Sequence, residues 1–482
     1  MSDSHGATGH SATLRAAAAH TFARLEPGHG QPLPRHLSLL AEAEPGPPPL
    51  VWTDTRAMLL SAMLVARARN DALGDGIDLV SRYFDTGRLT RPAALSGPAR
   101  SGLFASVAEY CAAIGWPQIG GHYAAEALMF AETPAQRYRA LSVQALNLGL
   151  NAEYPAATVA IDEARRVFVD EGWSIENTSH CLLLGDGLVT VSTADMDHMR
   201  EIADELEAAQ PDDPYWAFSV GMIRVTAMFI DRNLTTGLAD SRQLLHGSGR
   251  TRSFRIVRDL LLGLHADMLA AQGEFDEAMA VMANAATHPG HAVCFPMQRA
   301  GVLLQMGRER EVIETTNACV ALLDEHCLRT LTPVLTRRAV AFLRLGSEKR
   351  AVQSMESVVQ LIGRTGGSVT PFLMIPFDDT ERLLSLVVEH NPGLAPTVAM
   401  MRQILPMIAA RSNGSGAFAA LTTTERELAY LLTSPLGIPE IARVRNVSVN
   451  TVKSQVRSIY GKLGVSSRED AVELLQRPDD WP

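Results

Sequence analysis

The chain lacks the hydrophobic segments of membrane and secreted proteins. No run of about 18 apolar residues occurs, as a membrane-spanning helix would require. The first 30 residues contain no apolar stretch after a basic start, as a secretory signal would. The sequence therefore predicts a cytoplasmic protein with no membrane partner.

Cysteine is scarce and widely spaced along the 482 residues. The five cysteines are Cys111, Cys181, Cys294, Cys319 and Cys327. No Cys-x-x-Cys and no zinc-type spacing occurs, so we expect buried, reduced thiols and no bound metal. A redox-sensing pair of Cys319 and Cys327 is the less favoured alternative.

Motifs for nucleotide binding and catalysis are also absent. Residues 363–368 are glycine-rich, but they lack the lysine and the preceding strand of a phosphate-binding loop. We interpret them as a turn between helices. No His-Glu-x-x-His motif or nucleophile elbow occurs, and the 14 histidines are dispersed. We therefore predict no catalytic residues and no cofactor, and an enzyme with an unrecognised helical site is the disfavoured alternative.

The large central region is rich in alanine and leucine, with little period-two alternation, which predicts helices. Residues 264–278 read as a helix, a turn at Gly273 and the start of a second helix. Similar turns recur at separations of 34–41 residues, at Ala152, Ser192, Asn233, Gly273, Gly307 and Gly346. This spacing resembles that of tetratricopeptide-like helical pairs. The predicted fold class is all-α, with a helical-repeat superhelix over 55–410.

Stacked helical pairs present a concave surface, which commonly binds a protein, a peptide or a small ligand. We expect the array to bind an effector or a protein partner, and a passive spacer is the alternative. Four aromatic residues could line a pocket, although packing between repeats is the favoured interpretation: Trp116, Trp173, Tyr215 and Trp216. Residues 1–50 are expected to form a partly disordered leading segment, and 411–417 a flexible linker.

The last 60 or so residues predict a helix, a tight turn and a second, cationic helix. Ser448 is expected to cap this second helix. Its predicted apolar stripe consists of Val449, Val452, Val456, Ile459 and Leu463. Ile441 and Val444 are expected to face inward from the preceding short helix, and a capping box at 466–469 to open a final helix over about 467–475.

Charge is concentrated in the same segment. The chain has a net charge of −10, yet the stretch from Arg443 to Arg468 contains no acidic residue. Its six cations are Arg443, Arg445, Lys453, Arg457, Lys462 and Arg468. A local cationic patch on an acidic protein is typical of a surface that contacts phosphates.

These motifs resemble the LuxR-type helix-turn-helix domain of bacterial transcription regulators. The resemblance rests on Leu421-Thr422, Glu425-Arg426-Glu427, Glu440-Ile441-Ala442, Ser448, Thr451-Val452-Lys453 and Lys462-Leu463-Gly464-Val465, without a gap. It implies a DNA-binding domain over 418–476, in which Lys453, Ser454 and Arg457 face base edges. It also implies phosphate contacts by residues that flank these positions, namely Ser448, Asn450, Thr451, Gln455 and Lys462.

Three positions depart from the family pattern. Gln455 stands where the family usually has histidine, Arg445 where it usually has leucine, and Pro435 where it usually has glycine. Arg445 could reach the DNA backbone or weaken the turn. Arg445 and Gln455 therefore favour one alternative function, an interaction scaffold whose helix-turn-helix no longer binds DNA.

The sequence as a whole predicts a bacterial, cytoplasmic transcription regulator. Its partners are expected to be double-stranded DNA, a second copy of the chain in a homodimer, and an effector of the helical-repeat region. Activation and repression both remain open.

Overall fold

The computed structural model describes residues 3–74, 76–91, 93–247, 253–322, 325–405, 423–433, 436–445, 447–463, 465 and 467–475. These residues are predominantly α-helical, as predicted. One short antiparallel hairpin pairs β1 (Phe84–Asp85) with β2 (Arg88–Leu89), with Phe84 opposite Leu89.

The helices of the N-terminal part are α1 (Asp3–Ala23), α2 (Pro34–Glu42), α3 (Asp54–Arg69), α4 (Ile77–Tyr83), α5 (Gly97–Ile114), α6 (Pro117–Met129), α7 (Pro134–Leu150), α8 (Tyr154–Asp170), α9 (His180–Thr193), α10 (Met196–Ala209), α11 (Pro214–Ile230), α12 (Leu234–His246), α13 (Arg255–Ala271), α14 (Phe275–Val281), α15 (Phe295–Gln305), α16 (Glu309–Thr315), α17 (Asn317–Ala321), α18 (Leu328–Arg344), α19 (Glu348–Thr365), α20 (Phe377–His390) and α21 over 395–405. The C-terminal helices are α22 (Thr423–Thr433), α23 (Ile438–Val444), α24 (Val449–Leu463) and α25 (Arg468–Leu475). Within the described residues, short 3-10 turns lie at Ile175–Asn177, Thr370–Phe372 and Pro392–Leu394.

Helices α5 to α19 form a series of antiparallel pairs. The pairs are α5–α6, α7–α8, α9–α10, α11–α12, α13–α14, α15–α16 and α18–α19. The first helix of each pair also contacts the first helix of the next pair. This confirms the predicted helical-repeat architecture.

One backbone turn recurs inside every pair. Its central residue has a positive φ, at Gly115, Ala152, Ala194, Arg232, Gly273, Gly307 and Gly346. The N–H of this residue donates to the carbonyl three residues back, and the next N–H donates to the carbonyl five residues back. In the fifth pair these bonds are Gly273 N–H to Ala270 O at 3.0 Å and Glu274 N–H to Leu269 O at 2.9 Å. The left-handed residue thus satisfies the last carbonyls of the first helix.

The turns lie close to their predicted positions but not always on them. The turn predicted at Ser192 centres on Ala194, and the turn predicted at Asn233 centres on Arg232. A further turn at Gly115 was not predicted. Alanine and arginine seldom adopt a positive φ, so the residue type at Ala194 and Arg232 does not indicate a turn.

The array curls until its later loops contact its earlier turns. The Leu150 carbonyl accepts hydrogen bonds from Cys327 Sγ at 3.0 Å and from Arg329 Nε at 3.2 Å. The Val369 N–H donates to Ser192 O at 2.9 Å, and α5 contacts α13 directly. The inner helices of this curled array line a cavity.

The leading segment packs on the array. Helix α1 begins at Asp3, inside the stretch for which partial disorder was expected. Ala17 and Ala18 of α1 are buried with Leu40 and Ala41 of α2 against α3. Because the alanine side chains are small, α1 and α2 can pack closely against α3.

Helices α22 to α25 share a core of their own. Its buried residues are Leu428, Ala429, Leu432, Ile441, Ala442, Val452, Val456, Ile459 and Ala471. The predicted linker at 411–417 lies outside the described residues. Among the helices that are described, none combines the length and the apolar character that a bilayer crossing requires.

The contact between α7 and α9 depends on a glycine. A Cβ at Gly185 would lie 2.7 Å from the Ala145 carbonyl carbon and 2.8 Å from Leu146 N, which are backbone atoms. A Cβ at Gly121, on α6, would meet nothing within 4 Å. We predict that Gly185→Ala lowers the free energy of unfolding by about 1–3 kcal/mol.

Gly121→Ala is the matched control, and it should be neutral or stabilising by up to about 1 kcal/mol because alanine favours a helix. Denaturant unfolding of both full-length variants, followed by circular dichroism, measures the difference. Equal unfolding midpoints would contradict the proposed close contact.

Candidate nucleic-acid interface and a cavity in the array

Helix α24 has one buried face and one exposed face. Val452 and Ile459 are fully buried, and Val456 is 8% exposed. Four polar residues lie on the opposite side and are exposed: Asn450, Lys453, Ser454 and Arg457. The buried valines and isoleucine fix the rotation of α24, so these polar side chains point to solvent.

Hydrogen bonds fix where α24 begins. Ser448 Oγ accepts from the Thr451 N–H at 3.1 Å and pairs with Thr451 Oγ1 at 2.7 Å. Ser448 is thus the N-cap, as predicted. Both side chains remain exposed, so the cap leaves them on the surface next to Lys453.

The two unusual residues contact each other. Arg445 Nη1 donates to Gln455 Oε1 at 2.8 Å, and both side chains are partly buried. Arg445 follows α23, and Gln455 lies on the second turn of α24. The two residues that depart from the family pattern therefore contact each other and join the two helices of the motif.

The six cations of the segment have different surroundings. Arg443, Lys453 and Arg457 are exposed. Arg468 instead donates from Nε and Nη2 to Leu432 O, at 3.0 and 2.8 Å, and so caps the end of α22. Lys462 lies on α24, but its side chain is outside the described residues. Three arginine and lysine side chains thus form the described cationic surface of the motif.

Some sequence predictions about this region need correction. Val444 is 63% exposed and does not face inward, and Val449 is 37% exposed at the edge of the apolar stripe. Val444 is the last residue of α23, where the chain turns away from the core. The cap of α25 is Ser467, whose Oγ accepts from Asp470 N–H at 3.0 Å, one residue later than the predicted capping box.

Glu425 makes a contact that the sequence did not predict. It is buried on α22, where its Oε1 accepts from Ser458 Oγ of α24 at 2.8 Å. Thr422, its predicted partner in the capping box, lies outside the described residues.

A short helix, a turn and a second helix with an exposed cationic face define a helix-turn-helix DNA-binding domain. Residues 419–475 match the family model of bacterial regulatory proteins of the luxR family. The C-terminal domain is therefore a LuxR-type helix-turn-helix domain.

No curated protein matches the chain. Among solved structures, the chain is similar to one described as "Crystal Structure of Rap Protein Complexed with Competence and Sporulation Factor". The identity is 9% and the TM-score 0.48, over 65% of this chain and 87% of that chain.

The inner helices of the array line a partly open cavity of about 170 Å³. Apolar side chains from α9, α11 and α13 form most of its wall, including Leu184, Leu188, Val191, Met222, Ile223, Phe229, Leu260 and Leu264. Polar groups reach it mainly from α13, α15 and α18, namely Asp267, Gln298, Arg329, Thr330 and Arg337. The cavity wall is thus mainly apolar, with a few polar groups.

Two buried ionisable groups face this cavity. Arg337 is 3% exposed, and within the described residues its Nε and Nη1 atoms have no hydrogen-bond partner. Burial lowers the pKa of Arg337, and the negative charge of Asp267 opposes this effect. Burial raises the pKa of Asp267 to about 7, although Arg337 and Gln298 oppose the increase.

Neighbouring residues hold the two groups in place. The Gln298 amide, with its NH₂ toward the carboxylate, donates to both Asp267 oxygens at 3.0 Å. The Arg337 guanidinium lies against Gly301, where a Cβ would come within 3.0 Å of Nε. A buried guanidinium with unused donors is costly, and an anion in the cavity would offset that cost.

The four aromatic residues singled out in the sequence do not line this cavity. Trp173 packs against Tyr138 and Phe168, and Trp216 against His180. All four pack against other buried side chains, which was the favoured interpretation, and Trp216 also lines a smaller pocket elsewhere in the array. The sequence analysis missed Asp267, Gln298 and Arg337, because single polar residues within helical segments carry no local signal of a shared cavity.

The contact between Arg445 and Gln455 can be tested by a double-mutant cycle. Each single change, Arg445→Ala or Gln455→Ala, should lower the local stability of α23 and α24 by about 1 kcal/mol. The double variant should lose less stability than the sum of the two single losses, because both changes remove the same hydrogen bond. Hydrogen exchange of the amides in 438–463 measures this, with Ser454→Ala on the exposed face as the control. Fully additive losses would contradict the contact.

Proposed function

We propose that this protein is a transcription regulator that binds double-stranded DNA through α24 and an effector through the cavity of the array. The exposed face of α24 is the observation that carries the DNA-binding part. Lys453, Ser454 and Arg457 lie side by side on that face. Lysine and arginine at such positions pair with guanine edges in the major groove.

The surrounding residues suit contacts that position the helix. Ser448, Asn450 and Thr451 are exposed at the start of α24, where hydroxyl and amide groups can reach phosphates. Arg443 and Lys462 supply further charge for the DNA backbone. The exposed methyl groups of Val449 suit contact with a thymine methyl.

We further propose that two copies bind inverted half-sites, with α25 as the contact between the DNA-binding domains. Two-fold protein symmetry matches a palindromic operator. The proposed dimer would show as two chains per duplex in a mass measurement of the complex. One chain per duplex at saturation would contradict it.

The proposed effector is a small amphipathic anion. The apolar wall of the cavity suits a hydrocarbon body, and Arg337 suits a carboxylate or phosphate head. Such a ligand would contact α9, α11 and α13 as well as α15 and α18. Binding would thereby stabilise one curvature of the array.

The rival function is an interaction scaffold that no longer binds DNA. Arg445 and Gln455 were its support, since both depart from the family pattern. Their hydrogen bond at 2.8 Å joins the two helices of the motif, so these residues now favour an intact motif. The scaffold would be favoured if removing the exposed cations of α24 left DNA retention unchanged.

The DNA contacts predict the effect of the double variant Lys453→Ala, Arg457→Ala. It should lose roughly 30-fold or more in affinity for a bound genomic fragment, because two base contacts are removed. Gel-shift titrations at low and moderate salt measure the loss. Lys349→Ala, Arg310→Ala is the matched control, since it removes the same charge from exposed positions of the array.

The control should leave the affinity unchanged. Unchanged retention by the Lys453, Arg457 variant would overturn the proposal and leave the scaffold as the better account.

The effector site predicts a preference for anionic ligands. Medium-chain carboxylates should raise the melting temperature of the full-length protein more than alcohols of the same length, because only the carboxylate pairs with Arg337. Arg337→Met should remove the preference. Arg310→Met, on the exposed surface of α16, should retain it. Equal shifts for carboxylates and alcohols in the wild-type protein would contradict an anion site.

A further inference from the structure

Two loops and one short helix bring four metal-binding side chains together. They are His291, Cys294, Cys319 and His326. His291 and Cys294 lie in the connection before α15, Cys319 on α17, and His326 just before α18. The spacings His-x₂-Cys and Cys-x₆-His are separated by 24 residues, so no short sequence motif reveals the cluster.

The four side chains are close enough to share one ion. Their candidate ligand atoms all lie within 4.8 Å of one another. Cys294 Sγ and Cys319 Sγ are 3.6 Å apart, and Cys319 Sγ is 3.9 Å from His291 Nδ1. In a tetrahedral zinc site, bonds of about 2.3 Å to sulfur and 2.0 Å to nitrogen place neighbouring ligands roughly 3.3–3.8 Å apart. Small side-chain movements would therefore complete the tetrahedron.

The His326 ring is oriented for metal binding. Its Nδ1 lies 3.0 Å from Cys327 O, and a carbonyl can only accept, so Nδ1 carries the proton. Nε2 then carries the lone pair. This atom is buried, and among the described residues it has no hydrogen-bond partner outside the cluster. A carbonyl on the far nitrogen is the usual support of a histidine ligand.

The cluster is shielded and its backbone is unusual. Cys294, Cys319 and His326 are at most 1% exposed. His291 has a φ of +56°, which is uncommon for histidine and costs free energy unless its surroundings fix it. Thr330 Oγ1 donates to His291 O at 2.5 Å and holds that conformation.

We propose that His291, Cys294, Cys319 and His326 form a Cys₂His₂ site for a thiophilic divalent cation, with Zn²⁺ the best match. Two thiolates with two imidazoles and four-fold coordination are typical of structural zinc. The four protein ligands leave no open position, so the ion would be structural and not catalytic.

The position of the site suggests what the ion would stabilise. Cys327, next to His326, and Arg329 bind Leu150 O, which is where the curled array meets its earlier turns. Thr330 both supports His291 and lines the effector cavity. A bound ion would fix these loops, and so the wall of the cavity.

A disulfide between two thiols is the arrangement that competes with the ion. The sequence suggested a redox pair of Cys319 and Cys327, but Cys327 Sγ donates to Leu150 O. Cys319 instead faces Cys294, so these two sulfur atoms are the pair that could be oxidised. A disulfide would leave both histidines without a role, whereas the proposed ion uses all four residues.

The first test measures the metal content of the full-length protein after expression with added zinc. Elemental analysis should find about one zinc ion per chain. Cys294→Ser, Cys319→Ser should lose it. Cys111→Ser, Cys181→Ser is the matched control and should retain it, because both cysteines are buried elsewhere.

A second measurement does not depend on variants that could fail to fold. Wild-type protein stripped by a chelator is titrated with Co²⁺. The proposal predicts thiolate charge-transfer bands and the strong visible bands of a tetrahedral ion, saturating at one equivalent, and their loss on adding Zn²⁺. Wild-type protein without zinc and without these cobalt bands would overturn the proposal. A Cys294–Cys319 disulfide in the purified, metal-free protein would also overturn it, in favour of the redox pair.

Discussion

The burial of one side of α24 is the constraint on which the proposed DNA surface depends. Val452, Val456 and Ile459 pack into the core shared by α22 and α23. That packing leaves one rotation for the helix, in which Lys453 and Arg457 face outward. A helix that turned freely would present a mixed surface and could not read base edges in register. The apolar face thus determines the polar one.

A comparable constraint shapes the array. A left-handed residue ends the first helix of each pair, and its hydrogen bonds satisfy the carbonyls that would otherwise be exposed or buried without partners. Repetition of this turn gives each pair a similar geometry, and the small rotation per pair accumulates into a curl. The curl brings Arg337 and Asp267 to the wall of the same cavity. The effector site that we propose is therefore a product of the repeat.

Local patterns explain which features could be predicted from sequence. The apolar positions of α24, the cap at Ser448 and the glycine turns at Gly273, Gly307 and Gly346 depend on neighbours in the chain, so they were predictable. The turn predicted at Asn233 centres on Arg232, because nothing about an arginine residue indicates a positive φ. The contact of Arg445 with Gln455 spans ten positions, and only the fold shows that the two departures form one interaction.

Features that join distant parts of the chain could not be predicted. Asp267 and Arg337 lie in different helical pairs, and Cys294 and Cys319 are 25 residues apart. No local pattern in the sequence predicts that the array curls far enough for its later loops to contact its earlier turns.

The most direct measurement of the central claim is sequencing of the genomic DNA that the purified full-length protein retains. The account predicts enriched fragments that share inverted half-sites, and retention without any shared sequence, or no retention even at low salt, would contradict it.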